Sequence, residues 1–120
     1  MYCTSYFGNV NALPKNAILI SISLWSPRGW RGKHIKQLAP TEDILREYQR
    51  DPNIARYCDR FQKEVLAGHD PKKLDKAIRE RWGDGDVFFL CYEKPNKFCH
   101  RRLVAKWMED SGFSCPEWLG

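Results

Sequence analysis

The sequence predicts one small α/β domain over residues 1–120, with a mixed or mainly parallel sheet and helices packed against it. A chain of 120 residues has the length of a single domain. Its short apolar segments, typical of strands, are separated by longer segments with the spacing of amphipathic helices. Strands that alternate with helices indicate an α/β fold. The apolar fraction of 42% and the aromatic fraction of 13% exclude a disordered chain.

Three segments are predicted as strands. Residues 1–7 alternate aromatic and small side chains and end in the turn signal Gly8-Asn9. Within residues 17–25 the isoleucines fall on one face and the serines on the other. Residues 87–92 are a nearly continuous apolar run, which indicates a central strand that is buried on both faces.

Capping residues predict where the helices start. Thr41 precedes two acids and opens the first helix. A second helical pattern covers residues 53–66, and Asp70-Pro71 opens a third. The last helix is predicted from about Cys99 to Asp110. Residues 26–40, rich in Pro, Gly and Trp, form a loop that is too long for a simple connector.

Cysteine usage and the start of the chain favour a cytoplasmic protein. The five cysteines are odd in number and lack the spacing of zinc knuckles; they are Cys3, Cys58, Cys91, Cys99 and Cys115. The first residues contain no basic segment followed by an apolar one, and no stretch approaches the roughly 18 apolar residues of a membrane span. We expect free thiols, no disulfide framework and no membrane association.

Positive charge is concentrated in two segments that contain no acid. The net charge is +5, and residues 28–36 and 94–106 carry nine of the basic side chains. Such segregation favours an anionic partner, such as a nucleotide, a nucleic acid or a phosphate-bearing small molecule. The alternative is two solvated segments that never meet in space.

Chemistry-bearing side chains are densest between the apolar run and the last helix. Cys91 and Glu93 point to the same side of the predicted strand and emerge together at its carboxyl end. Cys99 follows at the start of the last helix, where unpaired amides favour an anion. Strand ends of this kind are where α/β folds bind ligands.

The candidate catalytic groups are Cys99, Glu93, His100 and Cys91. A helix start and neighbouring cations lower the pKa of a thiol, so Cys99 is a candidate nucleophile; the alternative is a small buried apolar residue. Glu93 is a candidate general acid or base, if it is partly desolvated, or else an ion-pair partner of an arginine. His100 is a candidate base, or a cation that stabilises the thiolate; its alternative is a helix cap or an exposed group. The alternative for Cys91 is a structural role at the strand end.

The candidate anion-binding groups are Arg101 and Arg102 at the helix start, together with Arg28, Trp30 and Arg31 in the long loop. Arginines next to an indole suit phosphates and a stacked base. Both segments follow the carboxyl ends of predicted strands. If these two strands are parallel, the two segments would line the same edge of the sheet. The alternative for the loop is a solvated segment whose Trp30 docks onto the body of the domain.

Most cofactor classes lack a matching motif. The sequence has no Walker loop, dinucleotide fingerprint, serine elbow or Cys-x5-Arg phosphate cradle. The spacing Cys91-x7-Cys99-His100 matches no usual zinc motif, and further ligands would have to come from residues such as Cys3, Cys58 or His34. We therefore expect neither a metal ion nor a cofactor.

Three motifs stand out: Cys91-Tyr-Glu93-Lys-Pro, Phe98-Cys99-His100-Arg101-Arg102 and an amino-terminal Thr-Ser-Tyr-Phe-Gly-Asn. With these motifs the chain resembles a bacterial and phage family known as domain of unknown function 488, the YeaO-like group. The likeness covers nearly the whole chain and includes the segment around Tyr57 and Phe61. Longer members carry Asp-Val-Arg where this chain has residues 22–24, Ile-Ser-Leu. The resemblance implies an α/β domain and a shared site, and it implies no established activity.

Three functional hypotheses follow from the residues. The first is a small cytosolic enzyme that binds a phosphate-bearing substrate and uses Cys99 or Glu93 for its chemistry. The second is a nucleic-acid-binding module that catalyses no reaction. The third is a thiol redox or regulatory protein that uses Cys91 and Cys99. The sequence does not indicate the substrate or the oligomeric state.

Overall fold

The computed structural model describes residues 1–94 and 97–118. Four strands form one sheet in the order β1-β4-β2-β3, and all of the described pairings are parallel. The strands are β1 (Tyr2–Tyr6), β2 (Ile18–Ser21), β3 (Lys33–His34) and β4 (Val87–Cys91). The sheet and its helices confirm the predicted α/β fold class.

The helices follow the predicted order. They are α1 (Glu42–Arg50), α2 (Ile54–Arg60), α3 (Pro71–Trp82) and α4 (Arg101–Glu109). Thr41 caps α1 by accepting a hydrogen bond from the Ile44 amide at 3.2 Å, and Asp70 caps α3 in the same manner. After α2 the chain continues as a π-helical segment, Phe61–Leu66. Short 3₁₀ helices cover Phe7–Ala12 and Lys36–Leu38.

The two faces of the sheet are covered differently. Val87 and Phe89 of β4 belong to a large core cluster with side chains from all four helices, whereas Phe88 and Leu90 belong to a small cluster on the opposite face. The small cluster is covered by residues from loops and from the end of the chain, including Leu13, Trp30 and Trp118. This alternation places Cys91 on the helical face.

Two features differ from the predicted elements. The loop at residues 26–40 contains β3, because the amide of Ile35 bonds to the Ser21 carbonyl and draws this segment along β2. The last helix begins at Arg101, so Cys99 precedes it. Within the predicted turn at residues 94–98, Pro95 and Asn96 lie outside the described residues.

Residues 116–118 lie beside β1, which the sequence did not indicate. The Thr4 amide bonds to the Pro116 carbonyl at 2.9 Å, and the Trp118 amide bonds to the Thr4 carbonyl at 2.8 Å. These bonds hold Glu117 next to β1. None of the helices in the described residues has the length and apolar character needed to cross a membrane.

The Thr41 cap is predicted to stabilise the domain measurably. Thr41→Ala removes the acceptor for the Ile44 amide and should lower the free energy of unfolding by about 1 kcal/mol. Thr41→Ser keeps a hydroxyl and should retain most of the stability. Urea unfolding of the three proteins measures the difference, and equal losses in both variants would contradict the cap.

Candidate functional site

A pocket of about 230 Å³ lies at the carboxyl ends of β2 and β4. Its lining combines residues that follow these two strands with side chains of α1 and α2. The pocket is lined by Ser23, Leu24, Trp25, Pro40, Leu45, Tyr48, Gln49, Tyr57, Tyr92, Glu93, Phe98, Cys99 and His100. This is the position at which parallel sheets bind ligands.

Cys91 and Cys99 meet beside this pocket. Cys91 is the last residue of β4, and Cys99 stands two residues before α4. Their sulfur atoms are at bonding distance and form a disulfide in the structure. The expectation of five free thiols is therefore wrong for this pair, because the fold brings together two cysteines whose sequence spacing indicated no pairing. Cys3, Cys58 and Cys115 are free.

The three free thiols differ from the pair in their surroundings. Burial raises the pKa of Cys3 and of Cys58, and it raises the pKa of Cys115 to about 12. Thiols with raised pKa values carry little thiolate at neutral pH. Only Cys99, among the described cysteines, lines the pocket.

His100 is buried against the pair with a defined tautomer. Its Nε2 lies 2.6 Å from the carbonyl oxygen of Ile22, and because a carbonyl only accepts, Nε2 must carry the proton. Nδ1 is then an unprotonated acceptor, 3.7 Å from the Cys99 sulfur. Burial, with a smaller contribution from the charge of Arg101, lowers the pKa of His100 to about 4. The imidazole beside the disulfide is therefore neutral at pH 7, and the cationic role considered from the sequence stays a prediction for the reduced pair.

Arg101 is fully buried, with 0% of its surface exposed. Its Nε donates to Glu117 Oε1 at 3.0 Å, and its Nη2 donates to Glu117 Oε2 at 3.2 Å. Its Nη1 lies 2.9 Å from the sulfur of Cys91 and also donates to the carbonyl of Glu93. This fork fixes the position of the guanidinium and directs positive charge at Cys91.

The role predicted for Arg101 changes with this placement. The guanidinium has no exposed surface and donates to Glu117 and to the Glu93 carbonyl, so it presents no donor to solvent. Arg102 is the exposed member of the pair, with 58% of its side chain accessible and Nη1 at 3.5 Å from the Glu117 carboxylate. The sequence does not indicate a role for Glu117, because this residue lies 16 residues beyond Arg101 and no local pattern links the two.

Glu93 lines the pocket, but its side chain is exposed. The partial desolvation considered from the sequence is therefore missing, and its backbone carbonyl, not its carboxylate, binds Arg101. Glu93 still acts electrostatically within the pocket: burial first, and then the charge of Glu93, raises the pKa of Tyr57.

The long basic loop lies elsewhere. Trp30 packs edge-on against Phe7 with ring centroids 5.1 Å apart, and its Nε1 donates to the Lys33 carbonyl. Arg31 lines a separate depression with Arg81, and Arg28 is exposed. Among the described residues, the lining of the 230 Å³ pocket includes none of Arg28, Trp30 and Arg31. The structure therefore favours the alternative in which Trp30 docks onto the body of the domain.

One group of potential metal ligands stands out in the described part of the chain. The ligand atoms of Cys91, Cys99 and His100 all lie within 4.8 Å of one another, and all three residues are buried. The spacing of these residues in the sequence indicated no metal site, because the fold, not the spacing, brings the two sulfurs and the imidazole together.

The pairing of Arg101 with Glu117 predicts a large loss of stability when one partner is removed. Glu117→Leu leaves the buried guanidinium without its counter-ion and should lower the free energy of unfolding by about 3–5 kcal/mol. The double variant Arg101→Met/Glu117→Leu should recover part of this loss. The exposed change Glu109→Leu is the control and should stay within about 0.5 kcal/mol. Additive losses in a double-mutant cycle would contradict the pairing.

The buried neutral imidazole predicts acid lability. As pH falls from about 6.5, an ordinary histidine in the unfolded chain takes up a proton first, whereas folded His100 does so near pH 4. The free energy of unfolding should therefore fall across this window, by up to roughly 3 kcal/mol. His100→Gln should remove this part of the pH slope, while His69→Gln, at an exposed position, should keep it. Urea unfolding between pH 4 and 7 measures how the free energy of unfolding changes with pH. An equal change with pH in both variants would argue against a buried neutral His100.

The comparisons with known proteins give a family. No curated protein and no solved structure shows a significant match to the chain. The family model DUF488-N3a, described as "Active DUF488-N3 subclade", matches residues 10–112. This match confirms the resemblance drawn from the cysteine, histidine and arginine motifs. It covers most of the 120 residues, and the chain therefore belongs to the DUF488 family.

Proposed function

We propose that the protein is a small cysteine-dependent enzyme that acts on a nucleotide or another phosphate-bearing compound with a planar ring. One observation carries the proposal: Cys99 forms part of the pocket wall and faces the unprotonated Nδ1 of His100 at 3.7 Å. A thiol beside a base is the arrangement of a cysteine nucleophile. The description of the matched subclade as active agrees with an enzyme and names no reaction.

Each neighbour of Cys99 has a role in this proposal. With the pair reduced, His100 accepts the thiol proton at Nδ1 while its Nε2–H stays bonded to Ile22, so the ring needs no reorientation. The Arg101 guanidinium favours the thiolate form of Cys91. Glu93, exposed at the pocket wall, is placed to exchange protons with substrate or solvent.

The shape of the pocket supports a flat substrate. Tyr48, Tyr57 and Phe98 contribute rings to the wall, and Trp25 and Tyr92 also line it with 60% and 51% of their surfaces exposed. Aromatic faces of this kind can stack on any of the nucleic-acid bases, because every base has a flat π-face. Exposed Lys94 and Lys97 in the adjoining segment supply positive charge for a phosphate, which makes an anionic ligand the proposed partner.

A thiol redox protein is the second candidate, and the contact between the sulfurs of Cys91 and Cys99 favours it. Oxidation of the two thiols gives one disulfide and releases two protons and two electrons to an oxidant such as another disulfide. On reduction, Arg101 stabilises the thiolate left on Cys91. A cytoplasmic location is part of both proposals, supported by the free thiols of Cys3, Cys58 and Cys115.

Reactivity of Cys99 tests the enzyme proposal. In the reduced protein at pH 7, Cys99 should react with a small alkylating reagent faster than Cys3, Cys58 and Cys115, since its thiol alone among these has a pocket and a neighbouring base. His100→Gln should slow Cys99 at least several-fold, whereas His69→Gln should leave its rate unchanged. Mass spectrometry of alkylated peptides measures each rate.

A ligand arm of the same experiment tests the substrate class. Mononucleotides that occupy the pocket should protect Cys99, and nucleosides without phosphate should protect it less. Rates that place Cys99 among the slowest thiols would remove it as the nucleophile. Such a result would favour the non-catalytic nucleic-acid-binding module instead.

A further inference from the structure

We propose that reduced Cys91 and Cys99, together with Nδ1 of His100, bind one Zn²⁺ ion and leave a fourth coordination position open towards the pocket. The inference goes beyond the proposed function because it concerns a metal-bound form, in which Cys99 is a ligand and not a free nucleophile, and it would hold even if the protein catalysed no reaction. It depends on the same reduced cysteine pair. Two thiolates and one imidazole are the ligand set that zinc uses in some catalytic sites, with water or substrate in the fourth position.

The distance between His100 and Cys99 already suits a tetrahedral ion, whereas the two sulfurs must move apart. Zinc bonds of about 2.3 Å to sulfur and 2.0–2.1 Å to nitrogen place a sulfur and a nitrogen ligand about 3.6 Å apart, and two sulfur ligands about 3.8 Å apart. The Nδ1 of His100 and the sulfur of Cys99 are already 3.7 Å apart. All three ligand atoms lie within 4.8 Å of one another.

The backbone leaves room for the two sulfurs to separate around an ion. The Cα atoms of Cys91 and Cys99 are 7.5 Å apart, wider than the roughly 4.4–6.8 Å usual for disulfides. The bond between the sulfurs must first be reduced. A dithiol reductant supplies two electrons and two protons, becomes a disulfide itself and leaves two protein thiols. Zinc binding then releases both thiol protons.

Groups around the three ligands are placed to orient them. The carbonyl of Ile22 holds the Nε2–H of His100 and so directs Nδ1 at the cysteines, which is the usual support of a metal-bound histidine. Arg101 donates to the Cys91 sulfur while Glu117 balances its charge. Two thiolates cancel the charge of the ion, so the buried site carries no net charge when zinc is bound.

The fourth position follows from the shape of the site. Cys99 and His100 both line the 230 Å³ pocket, whereas Cys91 lies behind them at the end of β4. An ion between the three would therefore face the pocket on its remaining side. Zinc would also occupy the electron pair of the Cys99 thiolate, so the metal-bound protein should resist alkylation at Cys99.

Titration of the whole reduced chain with Co²⁺ and then Zn²⁺ tests the site. After reduction by a phosphine and removal of the reductant, one Co²⁺ per chain should bind and give thiolate-to-metal charge-transfer absorption, which one Zn²⁺ should displace. Cys99→Ser should abolish the charge-transfer band or weaken binding more than tenfold. His100→Gln should weaken binding about tenfold or more. Cys58→Ser is the matched control and should bind as the native chain does.

The outcomes separate this inference from the proposed function. Absence of a charge-transfer band in the folded, reduced chain, or an equal effect of Cys99→Ser and Cys58→Ser, would overturn the metal site. Circular dichroism of each variant shows whether it is folded; if Cys99→Ser is not, the comparison rests on His100→Gln. Alkylation of the metal-free chain is measured in parallel, so a reactive Cys99 that binds no metal would leave the enzyme proposal standing.

Discussion

A buried ion pair between Arg101 and Glu117 joins the parts of the chain that meet at the candidate site. Glu117 also accepts from the Thr4 hydroxyl at 2.6 Å, so the pair connects β1, the start of α4 and the last described residues. A guanidinium with no exposed surface is tolerated only when its donors are satisfied. Nη1 of Arg101, which also donates to the Glu93 carbonyl, reaches the Cys91 sulfur. The position of the thiol pair therefore depends on this ion pair.

Features specified by neighbouring residues could be predicted from the sequence. The caps at Thr41 and Asp70 need only a side chain and an amide two or three residues later. The apolar run at Val87–Cys91 lies between two strands, and its alternating side chains enter two different clusters, as the period of a strand requires. The gathering of Cys99 and His100 at the carboxyl end of β4 likewise followed from the order of strand, turn and helix.

Features that depend on distant residues could not be predicted. Glu117 reaches Arg101 only because residues 116–118 run along β1. The tautomer of His100 is set by the carbonyl of Ile22, 78 residues away in the sequence. The loop around Trp30 has the composition of a segment that stacks on bases, yet the contact between Trp30 and Phe7 gives this tryptophan a structural role. In each case the local sequence allows several partners, and the tertiary fold selects one.

The path of residues 116–118 along β1 has a consequence for what a shortened chain could do. A chain that stopped before residue 116 would keep every residue that lines the pocket. It would lose the two backbone bonds to Thr4 and the carboxylate that pairs with Arg101. The guanidinium could then not stay buried at low cost. A deletion at the carboxyl terminus would therefore disturb the pocket although it removes none of the residues that form it.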